Sequence, residues 1–419
     1  MVQRIVLHCD MNGFYASVEC LYRPELHNKP VAVCGDVEKR HGIILAKNEF
    51  AKQFGIRSGE TVWQARKKCP HLVCLPPRFD RYRRISAMAN AIYNRYTDRV
   101  EPFGIDESWL ELTGCVPDFA AGVQTAQQIR KTIQQELGVT VSVGVSFNKV
   151  FAKLGSDLKK PDAVSVIDRV HFRQILYDHP CEELLYVGPA TRRRLNSIGV
   201  TTLGELARCN PAVLKSLLGK WGLALHAFAN GHDDSKVSVY GTSPLCKGIG
   251  NSTTMAYDLT QREPIKQVLY MLCESVSERM RRQHIRGSTL SLWLRQADLL
   301  GYTRQISLPQ PIQSSRQMAF AALSVLDAHW RGEPLRSLGI RMTDLCYADA
   351  PQQMCLWPSE DEKDVQLDMC VDALRARFGH ACIHRALCLT RPALYINPID
   401  ENTVHPVPFF RDALRVQNP

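Results

Sequence analysis

Asp106 and Glu107 stand side by side in "RVEPFGIDESWLELTG", residues 99–114, where two strand-like runs meet. Neighbouring residues of a strand point to opposite faces, but a turn breaks that alternation and lets both carboxylates face one side. A third acid, Asp10, follows the apolar run "RIVLHC". If the hairpin lies beside that first strand, Asp10 comes up next to the pair, although 106 − 10 = 96 positions separate them. Three carboxylates so close repel one another unless a divalent cation sits among them. Hard oxygen ligands select magnesium, and two such ions suit in-line phosphoryl transfer. Ordinary solvated acids at strand ends would give the same spacing, so spacing alone leaves both readings open.

The chain around these acids has an ordinary globular composition. Of 419 residues, 45% are hydrophobic and 22% charged, enough for two to four domains with sizeable cores. No apolar stretch approaches a membrane span. The opening "MVQRIVLHCD" runs directly into a strand pattern and lacks a signal-peptide cleavage site, so a cytoplasmic protein is expected. Lys and Arg exceed Asp and Glu, 52 to 42, which favours a polyanionic partner such as nucleic acid. The 15 cysteines are scattered and never spaced as CxxC, which argues against zinc-ribbon and thioredoxin sites and for small buried hydrophobes in a reducing compartment. "HACIH" could set His380, Cys382 and His384 on one strand face, but further ligands are lacking.

The pattern predicts strands over 4–9, 30–35, 41–48 and 139–147, short helices in "NEFAKQFGI" and "TVWQARKKCP", and amphipathic helices over 79–98 and 118–137. A further helix begins at "NKVFAKLGSDLKKP" and stops at Pro161. This is an α+β sheet domain with an insertion after its first strand. From about 169 to 232 the chain turns helical; "DDSKVSVYGTSPLCKG" reads as a linker. A second α+β domain follows, with helices from about 262 to 284 and 315 to 331, and then a mixed tail with a helix near 364–378 and no clear core of its own.

"DMNGFYASVE", "GIDESWLELTG", "SVGVSFNKVFAKLGSDLKKP" and "VGPATRRRLNSIGVTTLGELA" resemble the motifs of Y-family DNA polymerases, and the bacterial DNA polymerase IV branch fits best. The resemblance runs in order from about residue 3 to 348. It implies a multidomain α+β right hand: a palm from 1–11 and 79–168, small fingers from 12–78, a helical thumb from 169–234 resembling a helix-hairpin-helix, a linker at 235–242, a little finger from 243–348 and a C-terminal tail from 349–419. Asp10, Asp106 and Glu107 match the palm acids that hold two magnesium ions, with the backbone carbonyl of Met11 as a further ligand. Tyr15 falls at the steric gate, where a ring beneath the sugar excludes a 2′-hydroxyl, while Phe14 is expected to be core. Lys160 matches the lysine that meets the triphosphate. Where the family often has Tyr-x-x-Arg, this chain has Glu49 and Lys52; Lys52 keeps the charge but not the bidentate fork.

The thumb turn is Tyr186-Val187-Gly188 where the family has Gly-hydrophobic-Gly, so the resemblance implies a phosphate contact at Gly188 with Arg192 adding charge. Gly250, Asn251 and Ser252 in "GNSTTM" are expected to track template backbone, together with basic residues around Arg279–Arg286. "QQMCLWP" places Gln353, Met354, Leu356 and Trp357 as in the bacterial sliding-clamp peptide. The function implied is a monomeric, low-fidelity, non-proofreading DNA polymerase for translesion synthesis and repair, using primer-template DNA, deoxynucleoside triphosphates and a sliding clamp. The competing readings are a mutagenesis-associated relative that needs accessory subunits, a palm-fold nucleotide cyclase, and a DNA-binding scaffold with a decayed site. The cyclase would not need the long C-terminal half, and the presence of all three acids argues against decay.

Overall fold

The computed structural model describes residues 3–35, 42–242, 246–351, 360–391 and 394. These divide into two compact units, one holding residues 3–35 and 43–242, the other holding the described residues from 246 onwards.

In the first unit the chain runs β1 (Val6–Met11), α1 (Phe14–Tyr22), β2 (Val31–Cys34), β3 (Ile44–Lys47), α2 (Glu49–Gln53), α3 (Val62–Lys68), β4 (Val73–Leu75), α4 (Phe79–Tyr93), β5 (Val100–Pro102) and β6 (Glu107–Glu111). It continues through α5 (Phe119–Leu137), β7 (Val141–Ser146), α6 (Lys149–Leu158), β8 (Val164–Ile167), α7 (Phe172–Leu176), α8 (Pro189–Asn196), α9 (Leu203–Arg208), α10 (Pro211–Leu218) and α11 (Lys220–Ala229). The main sheet has the order β5-β6-β1-β7-β8, with β1 antiparallel to both neighbours. Every residue of β1 and β7 is buried, including His8 and Asp10 of β1 and Ser142 and Ser146 of β7, so both faces of these two central strands are covered. Tyr82, Ile92, Ile129 and Ile133 of α4 and α5 pack on Leu7, Cys9 and Val143 from one side. From the other side α6 lies so close that Gly144 of β7 and Gly155 of α6 meet almost backbone to backbone.

The inserted segment forms its own sheet, β3-β2-β4, around Ala32, Ile44, Ile56 and Cys69. Helix α1 is shared, because Phe14 and Val18 belong to the core of the main sheet. Helices α7–α11 enclose Leu195, Leu206, Leu214 and Leu225, a core continuous with Phe147 and Phe151. The residues read as a linker are firmly seated as far as 242. Asp233 accepts from the backbone N–H of Lys149 and Val150 at the start of α6, at 3.1 and 3.3 Å. Val237 packs with Val6, Trp109 and Ala152. Polar composition concealed this strap because its anchors are a helix cap and one buried valine.

The second unit runs β9 (Gly248–Leu259), α12 (Arg262–Arg282), β10 (Ile285–Gln296), β11 (Gly301–Ile312), α13 (Ser315–His329), β12 (Leu335–Tyr347) and α14 (Glu360–Phe378). Its sheet has the order β11-β10-β12-β9, backed by α12 and α13. Helix α14 docks on this body through charge: Arg281 meets Asp368 at 3.0 Å and Asp372 at 2.7 Å, and Arg375 meets Glu274 at 2.9 Å. Cys388 and Leu394 complete the hydrophobic core, so the tail segment shares the second unit's core. Three details differ from the sequence reading. The helix over 79–98 ends at Tyr93. Strands β4, β8 and β11 were not anticipated. His380–Cys382 is a 3-10 turn rather than a strand face.

Candidate active site

The hairpin does lie beside the first strand. Asp10 is registered opposite Glu107, and the Met11 N–H donates to the Asp106 carbonyl at 2.9 Å. The carboxylates of Asp10 and Glu107 are linked by Lys153, whose Nζ is 3.3 Å from Asp10 Oδ2 and 2.5 Å from Glu107 Oε2. Lys160 Nζ adds a contact to Asp10 Oδ2 at 2.9 Å and one to Asp157 at 2.7 Å.

These surroundings pull the acids apart in proton affinity. Desolvation by the surrounding protein, together with the charges of Asp10 and Glu107, pushes the Asp106 carboxyl up to about 7. Burial acts the same way on Glu107, but contacts with His8 and Lys153 outweigh it and bring that carboxyl down to about 2. Burial works against charge on Lys153 and Lys160, yet the facing carboxylates raise both. Lys153 and Lys160 therefore neutralise part of the cluster at Asp10 and Glu107, while Asp106 stays buried beside both acids. A hard divalent cation fits this donor set of carboxylate oxygens. Space for it is kept by Gly104: a Cβ there would stand 2.9 Å from Glu107 Cγ, 3.1 Å from Glu107 Oε1 and 3.2 Å from Asp106 Oδ1. A side chain at 104 would fill the cleft between the two acids.

Tyr15 projects from the first turn of α1 and is clamped. Its ring stacks on Tyr82 at 4.3 Å and 12° and meets Phe79 edge-on at 5.8 Å. Burial and the nearby Asp106 charge push its hydroxyl up to about 12. Phe14 is buried in the core, as expected. The structure thus gathers Asp10, Met11, Asp106, Glu107 and Lys160 in one cluster and sets Tyr15 beside it.

The other expected residues sit as follows. Lys52 is exposed and paired with Glu49 at 3.4 Å. Gly188 is the N-cap of α8, and Arg192 on that helix meets Glu182 at 2.9 Å. Tyr186 takes φ +74°, the left-handed conformation that the missing glycine would adopt freely. In the second unit Gly250, Asn251 and Ser252 lie on the edge strand β9, opposite Arg341, Ile340 and Gly339, and Arg279 donates to the Gly250 carbonyl at 3.0 Å. Gln353, Met354, Leu356 and Trp357 lie outside the described residues.

Three site residues escaped sequence reasoning. Lys153 carried a signal: with Lys149 and Asp157 it repeats every four residues, so all three share one face of α6. His8 precedes Asp10 by two positions on one strand and so shares its face. Ser156 meets His8 across the sheet, and no local pattern announces that.

The impB/mucB/samB family model matches residues 9–157, and the model of that family's C-terminal domain matches 247–356. DNA polymerase IV of Acetivibrio thermocellus is 46% identical over 392 residues, 93% of this chain and 98% of that protein. DNA polymerase IV 1 of Bacillus subtilis is 37% identical over 390 residues, 93% of this chain and 94% of that protein. A solved Y-family DNA polymerase chimera superposes with a TM-score of 0.73 at 22% identity, covering 82% of this chain and 99% of that one. The last likeness speaks for the fold alone, whereas the first two extend over nearly the whole length of both partners. By that criterion the chain belongs to the DNA polymerase IV family.

Proposed function

We propose that the chain is a DNA-templated DNA polymerase of low fidelity that copies past damaged bases. The observation that carries this reading is the convergence of Asp10, Asp106 and Glu107 at the ends of β1 and β6, with the Tyr15 ring fixed beside them. Asp10, Asp106, Glu107 and the Met11 carbonyl would hold two magnesium ions. Bound magnesium would acidify the primer 3′-hydroxyl and neutralise the departing pyrophosphate. Lys160 and Lys153 bring two positive charges to the same cleft, suited to the triphosphate once the carboxylates have a metal partner. Tyr15 cannot swing aside, because Tyr82 and Phe79 hold two sides of its ring; a ribose 2′-hydroxyl would meet a wall. The small separate core of the fingers gives a physical reason for loose enclosure of the nascent pair and hence for errors.

Primer extension by the purified chain, with and without magnesium, tests the reading. The parent extends only with magnesium, and Asp106→Ala abolishes extension while leaving DNA binding nearly intact. Substantial extension by Asp106→Ala would remove the assignment. Extension that needs added subunits would favour the accessory-dependent relative instead.

A sliding clamp as partner is part of the proposal. It rests on the sequence order Gln353, Met354, spacer, Leu356, Trp357 directly after the second unit's last strand. Apolar anchors of this kind carry most of the affinity of short peptides, and tethering raises local concentration at the primer end. Replacing Leu356 and Trp357 by Ala should abolish stimulation by the clamp and spare clamp-free synthesis; equal stimulation of variant and parent would exclude this role. A monomer in the cytoplasm accords with the reading, and no described helix is long and apolar enough to cross a membrane.

A further inference from the structure

His8 is fully buried behind the carboxylates and has no task in the reaction as described. Its ring lies edge-on to Trp109 at 5.4 Å. Nδ1 is 2.9 Å from Ser156 Oγ, and Nε2 faces Glu107 Oε2 at 3.4 Å. The placement of one proton decides what this chain of atoms does. Ser156 has a single hydroxyl proton and two acceptors in reach, the Lys153 carbonyl at 2.7 Å and His8 Nδ1. If the proton goes to the carbonyl, Nδ1 must carry a ring hydrogen, and a neutral ring then turns a bare Nε2 lone pair towards a carboxylate in a dry interior; only a charged ring could donate from both nitrogens, and full burial opposes that charge. If it goes to Nδ1, Nε2 carries the hydrogen and faces a strong acceptor. The second arrangement leaves no opposed lone pairs, and it leaves the ring without net charge.

We propose that His8 is a positioning residue for the metal site: Ser156 fixes its tautomer, and its Nε2–H holds Glu107 Oε2. Oε1 then stays turned towards Asp106 and the space kept by Gly104. Partners of this kind orient ligating carboxylates and set metal affinity. A neutral ring does so without repelling a dication. The proposal rests on the reading of Asp106 and Glu107 as ligands, and its test separates the two.

Manganese binding to the metal-free full chain is followed by electron paramagnetic resonance for the parent, His8→Phe, His8→Gln, Ser156→Ala, the His8→Phe/Ser156→Ala double variant and Glu107→Gln. His8→Phe should weaken binding by roughly 10–100-fold. His8→Gln, which keeps a donor, should recover much of that. Ser156→Ala should weaken binding by less, and the double variant no more than His8→Phe alone, because the serine acts through the ring. Nitrogen-15 spectra of the metal-free parent should show His8 protonated at Nε2, a readout that needs no variant to fold. Weakened binding in Glu107→Gln with unchanged binding in His8→Phe would overturn the positioning role. So would a ring protonated at Nδ1, which would make Nε2 a direct ligand. Unchanged binding in Glu107→Gln would overturn the metal reading and this proposal with it.

Discussion

Gly144→Ala should dislodge helix α6 from the sheet. An added Cβ at 144 would stand 2.0 Å from the Ala152 carbonyl oxygen, 2.5 Å from the Ser156 nitrogen and 2.8 Å from the Gly155 carbonyl carbon. All three are backbone atoms, so no rotamer change relieves the overlap. Cβ contacts under 3.0 Å are essentially never made, so 3.0 − 2.0 = 1.0 Å is the least the helix must withdraw, and 3.4 − 2.0 = 1.4 Å restores ordinary contact. Overpacking of cores costs about 1–3 kcal/mol, and rigid backbone on both sides puts this case at about 3 kcal/mol or more. That is a large fraction of a typical stability of roughly 5–15 kcal/mol. Helix α6 also carries Lys153 and Ser156, so the same movement separates Lys153 from Glu107 and Ser156 from His8. A misplacement of about 1 Å can lower turnover by about 100-fold. Urea unfolding followed by circular dichroism gives the stability change, and primer extension below the transition gives the activity. Gly155→Ala is the control: its Cβ would meet Gly144 Cα at 3.2 Å and Ile167 Cδ1 at 3.3 Å, so it demands only a few tenths of an ångström of movement. Its gain in helix propensity, up to about 1 kcal/mol, offsets much of that crowding. Stability of Gly144→Ala within about 0.5 kcal/mol of the parent, with full activity, would refute the close-approach argument.

Gly104→Ala meets side-chain rather than backbone atoms, so stability should change by less than about 1 kcal/mol while the magnesium concentration for half-maximal extension rises about tenfold or more. Unchanged magnesium dependence would mean that the two acids do not need that space. Tyr15→Ala should admit ribonucleotides, with discrimination against them falling at least about tenfold in single-nucleotide insertion assays; unchanged discrimination would place the gate elsewhere. At Tyr186, φ +74° strains any residue but glycine, and the ring packs on Trp221 at 5.3 Å. Both Tyr186→Gly and Tyr186→Ala lose that packing, and the glycine variant alone relieves the strain, so it should be the more stable by about 1 kcal/mol in thermal unfolding.

The carboxylates were legible because a turn that breaks strand alternation is a local signal, and β1, β7 and the long helices were legible because their burial is written as runs and periodicity. Short strands carried too little pattern: β4 has three residues and β8 four. In β11 few of the twelve residues are buried, so no apolar alternation marks it. Helix α14 was expected near 364–378, but its docking on the second unit's core was hidden for a different reason. It buries Asp368 and Arg375 against the body and leaves Leu367 and Phe378 exposed, the reverse of the usual amphipathic rule. His8 and Ser156 belong to elements 148 positions apart, and their contact follows only from the packing of α6 across β1.

The order of the main sheet also sets a timetable for synthesis. β1 leaves the ribosome first yet occupies the middle place, between β6 and β7. Its last residue is Met11 and its second neighbour begins at Val141, so 141 − 11 = 130 positions must be translated before both edges are covered. At about 5–20 residues per second that is on the order of ten seconds, during which both edges of β1 are open until β6 is made and one edge stays open until β7 follows. Asp10 is held opposite Glu107 only after the hairpin has arrived. Folding of this unit should be late and abrupt, and slowing translation upstream of β7 should lengthen the interval in which chaperones compete with misassociation.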